Sequence, residues 1–138
     1  MTLQGKTALI TGGAKGIGYA TAARLIAEGC SLMLWDIDDT ALETAQFSLS
    51  QQAKTTSNRS SPKINTAPVV HTDICDVSNP EEVRACARTA QKALGHIDIL
   101  INNAGFMAPG YFTDQDVSAW HRTMDINLNA VLTVTHAL

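Results

Sequence analysis

Eight residues, Thr11-Gly12-Gly13-Ala14-Lys15-Gly16-Ile17-Gly18, constrain this chain more than any others. They follow an apolar run, Thr7-Ala8-Leu9-Ile10, and precede a helical pattern that reaches Gly29. Strand, glycine turn, helix is the context that a dinucleotide-binding loop requires. Gly12 lets the chain turn sharply out of the strand. Gly16 has no Cβ, so a pyrophosphate can approach the backbone. Gly18 lets the first helical turn pack closely on the sheet. The free N–H groups and positive dipole end of the helix then face the phosphates. A plain turn before a helix is the bland alternative. A kinase-type phosphate loop fits worse, because no Gly-Lys-Ser or Gly-Lys-Thr triplet follows.

The rest of the pattern alternates strand and helix. Thr7–Thr11, Ser31–Asp36, Val69–Ile74 and Ile97–Asn102 have the character of buried strands. Helices are expected from about Ile17 to Glu28, with Ile17, Ala20, Thr21, Leu25 and Ile26 on one face, and from about Ala41 to Ala53, capped by Asp39 or Thr40. Asn79, Pro80 and Glu82 form a helix start, and Val83, Cys86, Ala87, Ala90 and Leu94 share one face up to Gly95. A short helix from Thr113 or Asp114 to Met124 precedes a last one from Asp125. Lys54 to Ala67, rich in Ser, Thr, Asn and Lys, is expected to be a mobile surface loop. The fold class is α/β, a doubly wound parallel sheet in one domain over 1–138.

The formal net charge of −3 and the lack of a basic run argue against nucleic-acid and anionic-membrane partners. No apolar stretch is long enough to span a membrane. Met1 to Lys6 leaves no room for a targeting peptide before the first strand, and Cys30, Cys75 and Cys86 lack Cys-x-x-Cys spacing. A cytoplasmic protein with reduced, buried thiols is expected. His71, His96, His121 and His136 are dispersed without ligand spacing, so no metal site is expected. His121 and Asp125, four apart, are candidates for a structural pair on one helix face. The chain stops at Leu138 inside an apolar helical pattern with no stop signal, which suggests that it is cut short.

Two companions strengthen the glycine loop. Asp36 closes the second strand, where a Rossmann unit places the acid that accepts hydrogen bonds from the adenosine ribose. A 2′-phosphate beside that carboxylate would be repelled by roughly 4 kcal/mol at ~4 Å and an effective dielectric of ~20. Lys15 pulls the other way, since its ammonium can pair with a 2′-phosphate. The balance favours NAD over NADP. Asn102-Asn103-Ala104-Gly105 lies at the carboxyl end of the fourth strand, where open parallel sheets bind ligands. Phe106, Met107 and Pro109 follow and are candidates for the border of a substrate cleft.

Thr11-Gly12-x-x-x-Gly16-x-Gly18, Asp36, Cys75-Asp76-Val77, Asn102-Asn103-Ala104-Gly105 and Asn127 within Asp125-Ile126-Asn127-Leu128 together resemble the short-chain dehydrogenase/reductase family, in its ordinary, non-extended branch. The likeness runs from Leu3 to Leu138 and covers the family's amino-terminal part. It implies a Rossmann-type doubly wound parallel sheet, truncated after about four strands, and an NAD(P)-binding domain incomplete at the carboxyl end. It implies that Gly12, Lys15, Gly16, Ile17 and Gly18 form the cofactor loop and that Asp36 anchors the ribose. Asp76 and Val77 would lie beside the adenine. Asn103, Ala104 and Gly105 would line the cofactor ribose. Asn127 would be the catalytic asparagine, in a helix kink, holding a water for a proton relay.

The implied reaction is hydride transfer between an alcohol or carbonyl substrate and nicotinamide. The family's Ser and Tyr-x-x-x-Lys are missing: four residues after Tyr19 and Tyr111 stand Ala23 and Gln115. The chain alone is therefore expected to be inactive, its full-length form a homo-oligomer. The rival expectation is a non-catalytic nucleotide-binding module or a truncated regulatory homologue. A last departure is the Lys54–Ala67 loop, longer than the family's usual one.

Overall fold

A computed structural model describes residues 3–57 and 67–138. Four strands, β1 (Thr7–Thr11), β2 (Ser31–Asp36), β3 (Val70–Ile74) and β4 (Ile99–Asn102), form one sheet in the order β3-β2-β1-β4. All three pairings are parallel, with Thr11 level with Trp35 and Asn102, and Asp36 level with Ile74. All four strands therefore deliver their carboxyl ends to one rim. β1 is buried throughout, as its unbroken apolar sequence requires.

Alternate side chains of the central strands feed two cores. Ala8, Ile10, Leu32 and Leu34 meet α1 (Gly16–Ala27) and α2 (Asp39–Ser57) through Ala22, Leu25, Ile26, Leu42, Ala45 and Leu49. Leu9, Met33 and Trp35 meet α3 (Pro80–Leu94) and α5 (Ala130–Ala137) through Val83, Ala87, Ala90, Ala130 and Val134. The expected doubly wound sheet is thus present. Trp35 is fully buried, and its indole N–H has no protein acceptor.

Local chemistry explains the element ends. Asn79 caps α3 by accepting from the Glu81 and Glu82 N–H groups, and its amide donates to Glu82 at 2.9 Å. The β2–α2 turn departs from expectation: Asp38, not Asp39 or Thr40, caps α2. Its Oδ1 accepts from Ala41 N–H at 3.0 Å, and its carbonyl takes the first helical bond from Leu42. Asp36 Oδ1 sets this up by accepting from the N–H groups of Ile37 and Asp38 at 2.9 and 3.2 Å.

Other boundaries shift. α2 runs on to Ser57, so Lys54–Ser57 are helical rather than loop, and residues 58–66 of the expected loop lie outside the described residues. β3 starts one residue later than expected; β4 starts two later, because Asp98 turns back to accept from Thr7 N–H at 2.9 Å. The buried face of α1 is Gly18, Ala22, Leu25 and Ile26, while Ile17 is 78% exposed and Ala20 is also exposed. Gly18 suits the buried face because its backbone lies against the Gly12 carbonyl, where a Cβ would clash.

The expected pair of carboxyl-terminal helices is one continuous run. After a 3₁₀ turn at Phe112–Asp114, α4 (Val117–Met124) passes through a π turn at Asp125–Asn129 into α5. The Ala130 N–H reaches the Asp125 carbonyl, five residues back. Asp125 pairs with the Asn129 amide at 2.8 Å, a contact that takes up one of its carboxylate oxygens.

Candidate functional site

The rim formed by the strand ends holds a cleft of ≈ 280 Å³. Its lining includes Gly12, Asp36, Asp76, Val77, Asn103, Ala104 and Gly105. Residues spread over ninety positions of sequence therefore meet at one place. Ile37, Cys75, Phe106, Arg122 and Ile126 also line it.

The glycine loop is built by close approach. Gly12 has φ +61°, and a Cβ there would come within 3.0 Å of Ala104 Cα. A Cβ on Gly18 would lie 2.1 Å from the Gly12 carbonyl oxygen, so no larger residue fits without moving the loop. Gly16 is different: a Cβ there would meet nothing within 4 Å, so the space above its backbone is open. α1 begins at this open place, with no side-chain cap and no acidic residue in its first turn. In contrast, α3 carries Asn79, Glu81 and Glu82 at its start, and α2 carries Asp38 and Asp39. The α1 N–H groups and dipole are thus left for an external anion, the donor set a pyrophosphate needs.

Asp36 stands beside this loop. Its Oδ2 accepts from Ala14 N–H at 3.2 Å, which fixes the carboxylate toward the cleft. Lys15 does not project freely: its Nζ lies 2.5 Å from Asp38 Oδ2. Hydrogen bonding to Asp38, then its charge, raises the Lys15 pKa, and the bond to Lys15 lowers that of Asp38. Across the cleft, Asp76 Oδ1 accepts from the Ser78 N–H and hydroxyl at 2.9 and 2.6 Å.

The Asn-Asn-Ala-Gly turn is tied down in three directions. Asn103 Nδ2 donates to the carbonyls of Thr11 and Gly12 at 3.0 and 2.9 Å. The Thr11 hydroxyl accepts from the N–H groups of Asn103 and Ala104, both at 3.0 Å. Asn102 reaches Thr135 on α5 at 3.3 Å. The Asn103 amide thus ties this turn to the end of β1 and the Asn102 amide ties it to α5, and Thr11 is an anchor that its place in the motif did not announce.

Asn127, expected in a helix kink, sits in the π turn between α4 and α5. Its side chain clamps the Phe106 backbone, accepting from N–H at 2.7 Å and donating to C=O at 2.8 Å. Arg122 lies over the Phe106 ring, 4.6 Å from its centroid. Neither contact was legible in the sequence; an Arg five residues before Asn127 was the available signal. Phe106 belongs to this cleft, whereas Met107 and Pro109 line a separate apolar groove with Trp120 and Met124.

Cys30, Cys75 and Cys86 are free and buried. Burial pushes the Cys86 thiol up to about 11 and the Cys75 thiol well above its ordinary range, so neither is a nucleophile. Among the described residues, no group of three or more His, Cys, Asp or Glu side chains could hold a metal ion, and no helix is long and apolar enough to cross a membrane.

Comparison with known proteins agrees with this geometry. A family model described as short chain dehydrogenase matches residues 6–138. An uncharacterized oxidoreductase of Staphylococcus saprophyticus is 33% identical over 136 residues, 99% of this chain and 53% of that protein. The 2-dehydro-3-deoxy-L-rhamnonate dehydrogenase (NAD(+)) of a Sphingomonas species is 35% identical over 128 residues, 92% of this chain and 44% of that protein. The crystal structure of an NAD⁺-bound xylitol dehydrogenase superposes with a TM-score of 0.84 at 30% identity, over 99% of this chain and 48% of that one. The chain spans about half the length of the curated relatives it matches.

Proposed function

The chain belongs to the short-chain dehydrogenase family, and from that premise we propose that it is the amino-terminal, cofactor-binding portion of an NAD(P)-dependent oxidoreductase acting on a small alcohol or carbonyl compound. One observation carries this reading: Gly12, Asp36, Asp76 and the Asn103–Gly105 turn line a single cleft, and Asp36 also bonds Ala14 N–H in the loop that leads to the uncapped start of α1. The nicotinamide supplies the hydride chemistry when bound. Gly12, Gly16, Ile17 and Gly18 hold the pyrophosphate, with Lys15 contributing the helix-capping backbone. Asp36 takes the adenosine ribose, and Asp76 and Val77 flank the adenine. Asn103, Ala104 and Gly105 line the second ribose. The preferred form is NAD, because Asp36 disfavours a 2′-phosphate.

Asn127 is the one residue of the proton relay assigned here. Its clamp on Phe106 holds the β4 turn, and the π turn around it is the interruption of the helix where the relay water would sit. Met124, Leu128 and Leu132 are exposed along one side of the α4–α5 run, which supports pairing with a second copy in the full-length form. Three free thiols support a reducing, cytoplasmic setting.

The test is fluorescence titration of the full-length chain with NADH and NADPH. Saturable binding with preference for NADH is expected, and absence of binding to both overturns the reading. A second reading is a nucleotide-binding module without catalysis. Cofactor binding without turnover of any alcohol or carbonyl by the full-length chain decides for it.

A further inference from the structure

We propose that Asp38 determines cofactor specificity: it occupies Lys15, so that the corner between β1 and β2 offers, among the described residues, no free cation to a ribose 2′-phosphate. This rests on the cofactor reading above and deepens it.

The corner is assembled before any ligand arrives. Asp36 Oδ1 bonds the Asp38 N–H, and Asp38 Oδ1 is spent on the Ala41 N–H as the cap of α2. The carboxylate is therefore fixed from two sides, with Oδ2 left over. That oxygen meets Lys15 Nζ at 2.5 Å. Lys15 itself is fixed at its backbone as the residue that begins α1. Asp36 completes the arrangement, since its Oδ2 holds the Ala14 N–H and its charge also raises the Lys15 pKa. Asp38 thus pairs with the ammonium while Asp36 stands beside the same loop, and two carboxylates against one ammonium leave the corner with a net negative charge. A 2′-phosphate arriving there must displace Asp38 from Lys15 and still face both acids. A free 2′-hydroxyl needs only an acceptor, which Asp36 provides.

The ion pair is partly solvent-exposed, with side chains 65% and 40% accessible, so its effect is moderate. Asp38→Asn is the informative variant. Asparagine caps helices about as well as aspartate, so α2 is preserved while the charge is removed. Kd values for NADH and NADPH are measured by fluorescence titration of the full-length chain at low ionic strength. In D38N, the NADPH affinity relative to NADH rises roughly fivefold. Lys15→Ala in the wild-type background moves that ratio by less than about twofold, because Lys15 is already engaged. Adding K15A to D38N returns the ratio to near the wild-type value. A gain that persists in the double variant overturns the proposal, because Asp38 then acts by repulsion alone. No gain in D38N, or a large NADPH loss in K15A alone, also overturns it. Wild-type chain that binds neither nucleotide removes the cofactor reading, whereas normal NADH binding with an unresponsive ratio removes only this inference.

Discussion

Thr11 concentrates two main-chain hydrogen bonds on one buried oxygen and so joins the ends of β1 and β4. Thr11→Val keeps the shape and removes the acceptor. It should cost about 2 kcal/mol, or roughly 5–10 °C in Tm by calorimetry, with Thr11→Ser restoring most of it. Gly18→Ala should cost more, about 3 kcal/mol, because the new methyl would sit 2.1 Å from the Gly12 oxygen. Asp98 gives a pH signature. Bonds from Lys6, then from Thr7 N–H, hold its carboxyl well below the usual carboxylate range. A depressed folded pKa means full stabilisation above the unfolded value near ~3.9, lost as pH falls toward the folded one. Asp98→Asn should therefore lower Tm at neutral pH, with the gap to wild type closing below about pH 4. Glycine spacing and the strand-end acid were legible because sterics and charge act there within a few residues. Asp38 was missed as a cap because the choice among three adjacent candidates depends on how Asp36 folds the turn.

At the level of elements, the strands and the first three helices could be read from apolar periodicity and from capping residues such as Asn79. The π turn could not, because no residue type demands it; it follows from Asn127 reaching the Phe106 backbone across 21 residues of sequence. Asn127→Ala should loosen the β4 turn, lowering NADH affinity severalfold by fluorescence titration as well as Tm, since two bonds are lost. The sheet edge sets a further expectation. β4 pairs with β1 on one side only among the described strands, and its apolar Ile99, Leu100 and Ile101 are half-buried. Residues 1–138 alone should therefore self-associate, which sedimentation velocity checks; a monodisperse monomer that melts cooperatively is the contrary result.

Across the whole molecule, four parallel strands bring one loop, one acid and one asparagine-rich turn to a common rim, a convergence that sequence order alone announces only through the family's joint motif. Ligand binding there should stabilise the entire fold: NADH at 100 times its Kd should add about 2.7 kcal/mol, visible as a rise in Tm. Phe106 was legible as a border of the cleft, but Arg122 over its ring and the grouping of Met107 and Pro109 with Trp120 were not, because they depend on how the last helix crosses the sheet. The two indoles lie in contrasting places. Trp35 is sealed inside the core, while half-buried Trp120 stacks on the exposed Phe112 ring at 4.3 Å; neither indole N–H has a protein acceptor. The molecule thus carries its own pair of lamps: one that dims to red only when the interior floods, and a half-buried one whose brightness follows the stacking in the groove beside the last helices.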